Sequence, residues 1–556
     1  MNKFADYKTV DVLVVGAGVA GLTAAAAAKS LCPDKSVCVI DKASGPGRHN
    51  LSGGTFDPSS LYEFLNLAFP NWQDNEKISK FLSRRVVNEQ FFMLSSKSRA
   101  FRITPHLKLA KALKLSAGKM LSEGETIISV SKLVRVVEAM AVEKGVEIYY
   151  NFPADFVDFD HKTARAKGVR LADKGLDEGG IKQMNYTPGE LINAENVILA
   201  EGADGYVTEQ FIAHSELERN QPQIYSLGVK EVIEVSPEQY KAIGSSNVLR
   251  FAGYPLWKPF SSPSIFGGGA LYPLGSRRIA VVLISALDWK YKDYSPYEAF
   301  CLFKKHPKVA RYIDGGRVLE AGAKLIPEGG FHSIPRDKVR STYAGTSNVL
   351  LTGDCAGFVN MHRMRGLSNA VLTGLQAGKA VSMKEKNGGS LAKNYSNMLE
   401  FSGLIDQMKR AAKFRQIISK FGVTLGLGLG NIDFMLPLFN IRQDNKREMT
   451  ESYPFSGKGL FDQADFVKHT GVQHRENQQP HLVIKDVDIC KWECARKYDC
   501  PCLKFCPGQV YEKMQEHVGP VNTSNCLHCK TCQRKCPYSN IEWTVPEAGG
   551  PMYTDM

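Results

Sequence analysis

Short apolar runs alternate with a helix-length run of small residues near the start of the chain. Val12–Val15 and Val37–Ile40 are each bounded by glycine or polar residues, which is the pattern of strands buried on both faces. A leucine- and alanine-rich run begins at Leu22 between them. This order predicts a parallel strand–helix–strand unit over residues 10–41.

A glycine turn connects the first of these strands to the helix. Gly16 allows a tight turn, Gly18 lets the backbone approach a pyrophosphate, and Gly21 allows close packing of helix and strand. The helix N-terminus then stabilises the phosphate charge. Asp41 ends the second strand, where it would accept a hydrogen bond from a ribose hydroxyl. The unit therefore predicts a dinucleotide-binding site.

Two later strands carry a resemblance that implies FAD as the dinucleotide. They cover residues 196–200 and 348–352, and the second ends at Asp354 before a helix. That order resembles the glutathione-reductase-type FAD flavoproteins of the hydroxylase branch, which implies that Asp354 binds the ribityl chain and that the next helix points its N-terminus at the flavin. Helix capping is the alternative role for Asp354. The candidate FAD-binding residues are Gly16, Gly18, Gly21, Asp41, Gly53, Gly202, Gly353, Asp354 and Gly366.

The pattern changes to period-two alternation between residues 220 and 335. Segments such as Arg278–Ser285 predict an antiparallel sheet inserted in the flavin domain. Gly267 and Gly268 lie in a glycine-rich turn beside aromatic residues, where exposed backbone would suit a flat apolar ligand with carbonyl oxygens. Ordinary hairpin turns are the alternative, and the residue pattern alone favours them.

Residues 401–441 combine a basic, partly apolar helix with an apolar stretch that glycines interrupt. This combination is typical of a helix that lies in a membrane interface, and it is too broken to span a bilayer. A buried helical hairpin explains the pattern equally well. Residues 442–480 are polar and predict a linker.

Nine of the thirteen cysteines lie between Cys490 and Cys536. Cys526, Cys529 and Cys532 stand at every third position and are followed by Cys536-Pro537, which is the spacing of bacterial-type ferredoxins. In that arrangement three sulfurs converge on one [4Fe-4S] cluster and the fourth points to another. By the usual crossover, Cys506 completes the first cluster.

A second cluster is predicted less uniquely. Five cysteines compete for its four positions, and the first spacing is one residue longer than the standard one. Zinc ribbons also use Cys-x-x-Cys pairs, but the third cysteine and the two Cys-Pro steps argue against zinc. No signal peptide opens the chain, so we expect a reducing compartment rather than a disulfide framework. The predicted ligands are Cys490, Cys494, Cys502 and Cys536, with Cys500 as the alternative to Cys502.

Composition and charge limit the classes of partner that the chain is expected to bind. The chain of 556 residues has a net charge of +13, and its basic residues are scattered rather than interleaved with aromatic residues. This distribution argues against nucleic-acid binding and favours a basic face for an anionic membrane or an acidic protein. No run of eighteen apolar residues predicts a transmembrane helix.

Motifs along the whole chain resemble the electron-transfer flavoprotein–ubiquinone oxidoreductase family and its bacterial Fix-type relatives. The resemblance is carried by residues 51–53, 328–335, 479–482, 506–511, 525–532 and 540–551. It implies one cluster on Cys506, Cys526, Cys529 and Cys532, a quinone facing Gly267 and Gly268, and membrane contact by residues 408–439. The five extra cysteines depart from the mitochondrial members, as does the Gly353-Asp354 pair, and suggest a Fix-type flavoprotein fused to its ferredoxin-like partner.

The resemblance also implies a function. Electrons would pass from a reduced electron-transfer flavoprotein, an alpha/beta pair, through the clusters and FAD to a ubiquinone or menaquinone at the cytoplasmic face of a prokaryotic inner membrane. A quinone-reducing subunit of an electron-bifurcating complex and a flavin-dependent isoprenoid reductase are the alternatives. No proton donor is evident, and His332 and His362 are the candidates.

The predicted fold class is α/β, with a glutathione-reductase-type FAD-binding Rossmann domain, an inserted α+β quinone-binding domain and a C-terminal bacterial-ferredoxin-like domain. The predicted boundaries are 1–220 and 336–400 for the FAD-binding domain, 221–335 for the quinone-binding domain, 401–480 for the membrane-contacting segment and linker, and 481–556 for the cluster domain.

Overall fold

The computed structural model describes residues 9–51, 54–160, 163, 165–430, 433–455, 462–515 and 517–556. Gly53, one of the predicted FAD-binding residues, lies outside this described part of the chain. The α-helices are Val19–Leu31, Ser59–Ala68, Glu76–Leu82, Thr104–Ala112, Val130–Glu143, Tyr206–His214, Pro237–Ile243, Pro296–Lys304, Pro307–Ala310, Leu367–Asn387, Leu391–Phe401, Leu404–Arg410, Phe414–Leu429, Gln463–His469, Ala495–Tyr498, Cys502–Phe505 and Thr531–Lys535.

The first sheet has a core of five parallel strands, which begins with the predicted strand–helix–strand unit. Its spatial order is Val349–Leu351, Leu191–Leu199, Thr9–Val15, Val37–Asp41 and Glu147–Tyr150. Gly345–Thr346 and the hairpin strands Ala154–Phe159 and Ala166–Leu171 extend it. The next strands in the chain, Val37–Asp41 and Glu147–Tyr150, lie on one side of Thr9–Val15, and the later strands lie on its other side. A crevice therefore opens at the carboxyl ends of the central strands.

The second sheet is mixed rather than antiparallel throughout. Its order is Arg317–Pro327, Tyr225–Glu234, Arg278–Ala286, Gly267–Gly275, Asn247–Gly253, Asn88–Leu94 and Ala100–Arg102. Asn247–Gly253 pairs in parallel with Asn88–Leu94, and the other pairs are antiparallel. Two strands of this sheet therefore come from the stretch predicted for the FAD-binding domain. Period-two alternation identifies strands but does not identify their partners, which explains the difference.

The cysteine-rich end of the chain packs against the second sheet. A single hydrophobic cluster contains residues of that sheet together with Trp289, Phe505, Trp543 and the clustered cysteines. The ring centroids of Trp289 and Phe505 are 6.5 Å apart. Short strand pairs complete this region: Leu482–Ile484 with Ile541–Trp543, and Tyr511–Lys513 with Val518–Pro520.

A buried aspartate joins the first sheet to the cysteine-rich end. Asp204 follows the strand Leu191–Leu199, and its carboxylate forms a salt bridge with Arg534 and accepts a hydrogen bond from Gln533 Nε2 at 3.2 Å. The Asp204 side chain is fully buried, whereas that of Arg534 is 28% exposed. Arg534 and Gln533 lie in the short helix Thr531–Lys535, so this contact fixes the cysteine loop relative to the first sheet.

Candidate functional site

One cavity of about 410 Å³ connects three parts of the fold. It begins at the carboxyl edge of the first sheet, passes over the face of the second sheet and ends beside the helix Phe414–Leu429. Its wall includes Gly16, Asp41, Gly202 and Asp354 at one end and Gly267 at the other. A cavity of this kind is the usual form of a cofactor or substrate site.

The glycine turn has the geometry that the sequence predicts. Gly16 has a φ of +108°, and a Cβ there would lie 2.4 Å from the carbonyl oxygen of Ala200. A Cβ on Gly21 would lie 2.0 Å from the oxygen of Gly16, so Gly21 serves helix–strand packing and does not border the cavity. Gly18 does border it, at the N-terminus of the helix Val19–Leu31. This cradle leaves space for a phosphate group against the helix N-terminus.

The carboxylate of Asp41 is held in place by backbone amides. Its Oδ2 accepts a hydrogen bond from the amide of Ala17 at 2.6 Å, and its Oδ1 accepts one from the amide of Ala43 at 2.7 Å. Each carboxylate oxygen can accept a second hydrogen bond. The fixed group at the cavity wall therefore fits a ribose diol.

Asp354 and Gly366 border the cavity at the start of the helix Leu367–Asn387. Burial raises the pKa of Asp354 to about 6, although Lys324 opposes the shift. Gly353 lies behind Asp354 with a φ of +66°, and a Cβ there would lie 3.0 Å from the Cβ of Ala20. Gly353 therefore packs against the first helix and shapes the turn, while Asp354 faces the cavity.

Three lysines of the cavity wall were not predicted from the sequence: Lys530, which is buried, and Lys42 and Lys324, which are half-buried. Burial lowers the pKa of all three, that of Lys324 to about 8. Lys42 Nζ lies 3.0 Å from His528 Nδ1. Buried cations require anionic partners, so these lysines fit a pyrophosphate on one side and cluster thiolates on the other. They come from distant segments and share no spacing that a sequence motif would reveal.

A tryptophan separates the cavity from the first group of cysteines. Trp543 borders the cavity, and the ammonium groups of Lys42 and Lys530 lie over its ring, 4.7 and 4.2 Å from its centroid. The ring of His528 packs edge-on at 5.4 Å. His528 stands between Cys526 and Cys529 in the chain and borders the cavity, whereas the four cysteines of this group do not.

Cys506, Cys526, Cys529 and Cys532 come together as the first predicted ligand group. Burial and the neighbouring Cys529 raise the pKa of Cys506 and of Cys526 to about 12. Cys529 Sγ lies 3.4 Å from the hydroxyl oxygen of Thr531. Four thiols in one dry site fit a cluster, because a bound metal removes the thiol protons that burial would otherwise retain.

The remaining five cysteines form a neighbouring group. Asn540 connects two of them, because its Nδ2 donates to Cys490 Sγ and its backbone amide donates to Cys536 Sγ, both at 3.3 Å. A hydrogen bond from the thiol of Cys494 lowers the pKa of Cys500 to about 7. Cys502 Sγ lies 3.9 Å from the carbonyl oxygen of Cys500.

At the other end of the cavity, two glycines lie on the second sheet. Gly267 has a φ of +149°, and a Cβ there would lie 2.0 Å from the oxygen of Ile284. A Cβ on Gly268 would lie 2.5 Å from the oxygen of Phe251. The sheet itself therefore requires both glycines, and the flat surface that they leave is exposed to the cavity. The apolar residues around it are Trp257, Phe266, Phe414, Val423 and Leu427.

A buried group of charges borders this apolar end. Arg415 Nε lies 2.7 Å from Glu328 Oε2, and Arg415 Nη2 lies 2.9 Å from Asp288 Oδ1. Glu328 borders the cavity, whereas His332 and His362, the two predicted candidates for proton transfer, are not among its lining residues. Arg415 also lies over the ring of Phe266, 4.9 Å from its centroid.

The outer side of the helix Phe414–Leu429 carries an apolar surface patch. The helix bends at Gly422, whose φ is 77°, and Lys420 is exposed beside the bend. No helix within the described ranges is long and apolar enough to cross a membrane. The exposed members of the patch are Phe260, Phe421, Leu425, Met435 and Leu438.

Three family models match the chain. Residues 457–554 match "Electron transfer flavoprotein-ubiquinone oxidoreductase, 4Fe-4S", residues 225–326 match "ETF-QO, ubiquinone-binding", and residues 14–84 match an NAD(P)-binding Rossmann-like domain. The three matches correspond to the cysteine-rich end, the second sheet and the glycine turn.

Curated relatives match over nearly the full length. The chain is 32% identical to the mitochondrial electron transfer flavoprotein-ubiquinone oxidoreductase of Oryza sativa subsp. japonica, over 98% of this chain and 93% of the relative. It is also 32% identical to the enzyme of the same name from Pseudomonas aeruginosa, over 99% of this chain and 100% of the relative.

Solved structures are similar in fold. A geranylgeranyl bacteriochlorophyll reductase-like protein from Thermoplasma acidophilum aligns over 77% of this chain and 92% of its own, with a TM-score of 0.53 at 17% identity. Aklavinone-11 hydroxylase with FAD and aklavinone aligns over 76% of this chain and 70% of its own, with a TM-score of 0.50 at 14% identity. Together with the family models, they confirm the predicted fold class.

Proposed function

The chain belongs to the electron transfer flavoprotein–ubiquinone oxidoreductase family, and from this premise we propose which residues carry electrons from reduced electron transfer flavoprotein to a quinone. The protein is an oxidoreductase with FAD and an iron–sulfur cluster. The observation that supports the assignment below is the single cavity that connects the glycine turn, the wall of the first cysteine group and the apolar face of the second sheet.

FAD occupies the end of the cavity at the first sheet. Gly16 and Gly18 form the phosphate cradle, Asp41 binds the ribose, and Asp354 binds the ribityl chain. The start of the helix Leu367–Asn387, after Gly366, would face the flavin ring, where its positive potential would favour a negative charge on the ring. Gly21 and Gly353 act indirectly, by allowing the close packing on which the cradle depends, and Gly202 forms part of the wall.

The cysteine-rich end holds two clusters. Cys506, Cys526, Cys529 and Cys532 would ligate the first, and His528, which stands between two of them in the chain, borders the cavity. A second cluster is held by Cys490, Cys494, Cys502 and Cys536, with Cys500 as the fifth thiol of the group; the two hydrogen bonds from Asn540 support this arrangement. Bound FAD and clusters supply the coupling between one-electron and two-electron transfer, which the side chains of the protein cannot supply.

The quinone occupies the apolar end, against the backbone of Gly267 and Gly268. The apolar patch beside this end lies on the membrane surface, so that a lipid-soluble quinone reaches the cavity from the bilayer. Exposed Lys420 at the bend suits anionic lipid head groups. We assign the protein to the cytoplasmic face of a prokaryotic inner membrane, with an alpha/beta electron transfer flavoprotein as donor, and with ubiquinone or menaquinone as acceptor.

A reconstituted reaction tests this function. The purified chain is mixed with reduced electron transfer flavoprotein and a short-chain quinone, and quinol is measured. We expect quinol at a rate that depends on both partners. Omission of the chain gives the background rate, and a mixture that reduces its flavin without forming quinol would contradict the proposal. Copurification with an NADH-oxidising flavoprotein pair would instead identify a subunit of a bifurcating complex.

A further inference from the structure

Two buried carboxylates share one guanidinium at the quinone end of the cavity. Arg415 donates from Nε to Glu328 and from Nη2 to Asp288. The side chains of Glu328 and Arg415 are 0% and 4% exposed, so neither charge is solvated by bulk water. Arg415 contacts both carboxylates, whereas Arg447 contacts only Asp288. Glu328 therefore shares its one cation, and a carboxyl group in that position retains a proton readily in a low-dielectric site.

The surroundings shift the pKa values of the two carboxyl groups in opposite directions. Burial raises the pKa of Glu328, although Arg415 opposes the shift. Burial also acts on Asp288, but Arg415 and Arg447 outweigh it, and the pKa of Asp288 is lowered. When the surroundings drive the pKa values of two carboxyl groups apart, the group with the higher pKa is the one that exchanges a proton near neutral pH. Of the two, Glu328 is the group that holds a proton more readily.

Glu328 is also the member of the pair that borders the cavity. It follows the strand Arg317–Pro327, and Ser226 of the adjacent strand forms a hydrogen bond with its Oε1. Ser226 pairs with Ala286, whose amide donates to the carbonyl oxygen of Phe266 at 2.8 Å. Two strands therefore lie between Glu328 and the Phe266–Gly267 edge against which the quinone is proposed to lie. Arg415 spans this distance, because it contacts Glu328 and also lies over the ring of Phe266.

The polar group continues from Glu328 toward solvent. Asp288 Oδ2 accepts a hydrogen bond from Ser419 Oγ at 2.9 Å, and Arg447 donates to the same hydroxyl at 2.9 Å. The Arg447 side chain is 26% exposed, which brings the group to the surface. Arg415 Nη1 is buried and has no hydrogen-bond partner in the described part of the chain, which leaves a donor for a water molecule. A water molecule at this donor would connect Glu328 with the polar groups that reach the surface, so that a proton need not cross the apolar wall.

We propose that Glu328 is the catalytic residue that protonates the quinone, an inference that rests on the proposed function. Reduction adds two electrons and two protons to the quinone. The O–H bond of the Glu328 carboxyl breaks as a new O–H bond forms at the facing quinone oxygen. A water molecule held by Arg415 Nη1 returns a proton to the Glu328 carboxylate, and solvent water also supplies the second proton. The charged and polar groups that face Glu328 are Ser226, Arg415 and Asp288.

The test compares two acceptors in the full chain loaded with its cofactors. Glu328→Gln keeps the size of the side chain and its contacts with Ser226 and Arg415 but carries no exchangeable acid proton. Quinol formation is expected to fall about 100-fold, the usual contribution of a general acid, while reduction of ferricyanide, which takes up no proton, is unchanged. Equal losses with both acceptors, or no loss with either, would overturn the inference.

Three further measurements separate a proton donor from a structural residue. Ser226→Ala removes a hydrogen bond that stabilises the Glu328 carboxylate, so the pKa of Glu328 rises and quinol formation persists to higher pH. Redox-difference infrared spectra are expected to show a protonated carboxyl band that Glu328→Gln lacks. Glu231→Gln is the matched control, because Glu231 is a buried glutamate of the same sheet that pairs with Lys304 away from the cavity. It is expected to leave the pH profile and the infrared band unchanged.

These outcomes can be distinguished from failure of the proposed function itself. If the unmodified chain forms no quinol from reduced electron transfer flavoprotein, the assigned reaction is wrong. If the unmodified chain forms quinol and Glu328→Gln does so equally fast, the reaction stands and the assignment of Glu328 is wrong.

Discussion

The contact between Asp204 and Arg534 allows a quantitative prediction about how the cysteine loop is held. Asp204→Asn keeps the shape of the side chain and removes its charge, so that Arg534 loses its closest anionic partner. Removal of one member of a buried ion pair costs about 3–5 kcal/mol. Arg534 is 28% exposed and Glu209 remains 3.5 Å away, so we expect the lower limit, about 3 kcal/mol.

The melting temperature converts this loss into an observable. Unfolding entropy is about 2.1 cal/mol/K per residue, so a 556-residue chain that unfolds as one unit would melt about 3 °C lower. If residues 457–554 unfold separately, the same loss lowers their transition by about 15 °C. Calorimetry of the cofactor-loaded protein, with electron paramagnetic resonance to follow the clusters, distinguishes the two cases.

The stability that the Asp204–Arg534 pair contributes depends on pH, and the direction follows from the pKa of Asp204. Arg534 lowers the pKa of Asp204 against the effect of burial, so the pair contributes stability above the unfolded pKa of about 3.9 and loses it as pH falls through the lower folded value. In the Asp204→Asn variant, this loss of stability at low pH should be absent. Asp465→Asn, at an exposed aspartate, is the control. If Asp204→Asn lowers the melting temperature no more than this control does, the proposed anchoring is refuted.

Three further predictions follow from the site. Gly16→Ala places a Cβ 2.4 Å from a carbonyl oxygen and should abolish the flavin absorbance of the purified protein, whereas retained stoichiometric FAD would contradict the cradle. Cys536→Ser should lower the iron content from about eight to about four per chain if two cubane clusters are present, with Cys301→Ser, a cysteine of the helix Pro296–Lys304, unchanged. Phe421→Glu should weaken cosedimentation with anionic vesicles at least about tenfold, because one buried phenylalanine contributes about 1.5–3 kcal/mol; Phe101→Glu, on another exposed surface, should not.

Local spacing predicts the parts of this protein that depend on neighbouring residues. Gly16, Gly18 and Asp41 lie where a strand–helix–strand unit requires them, and Cys526, Cys529 and Cys532 converge because their loop is short. The confirmed fold class rests on these repeated local signals. The five thiols of the second group also come together, although their spacing leaves their individual roles as a prediction.

Contacts between distant segments could not be predicted in this way. Lys324 and Lys530 meet at one cavity wall although more than two hundred residues separate them, and no periodicity links Glu328 to Arg415. The sequence interpretation of Gly267 was incomplete for the same reason. Its required φ and its close approach to Ile284 come from strand pairing, which the sequence pattern does not specify.

The second sheet and the cysteine-rich end share one hydrophobic core, so the stability of the whole chain depends on the supply of iron. Trp289 of the second-sheet side packs against Phe505 of the cysteine-rich end in that core. A chain made during iron starvation would lack the iron that holds the cysteine-rich end together, and apolar residues of the second sheet would then be exposed. Exposed core of this kind attracts chaperones and proteases. The cellular amount of the protein should therefore follow iron availability after translation, even where its messenger RNA is constant.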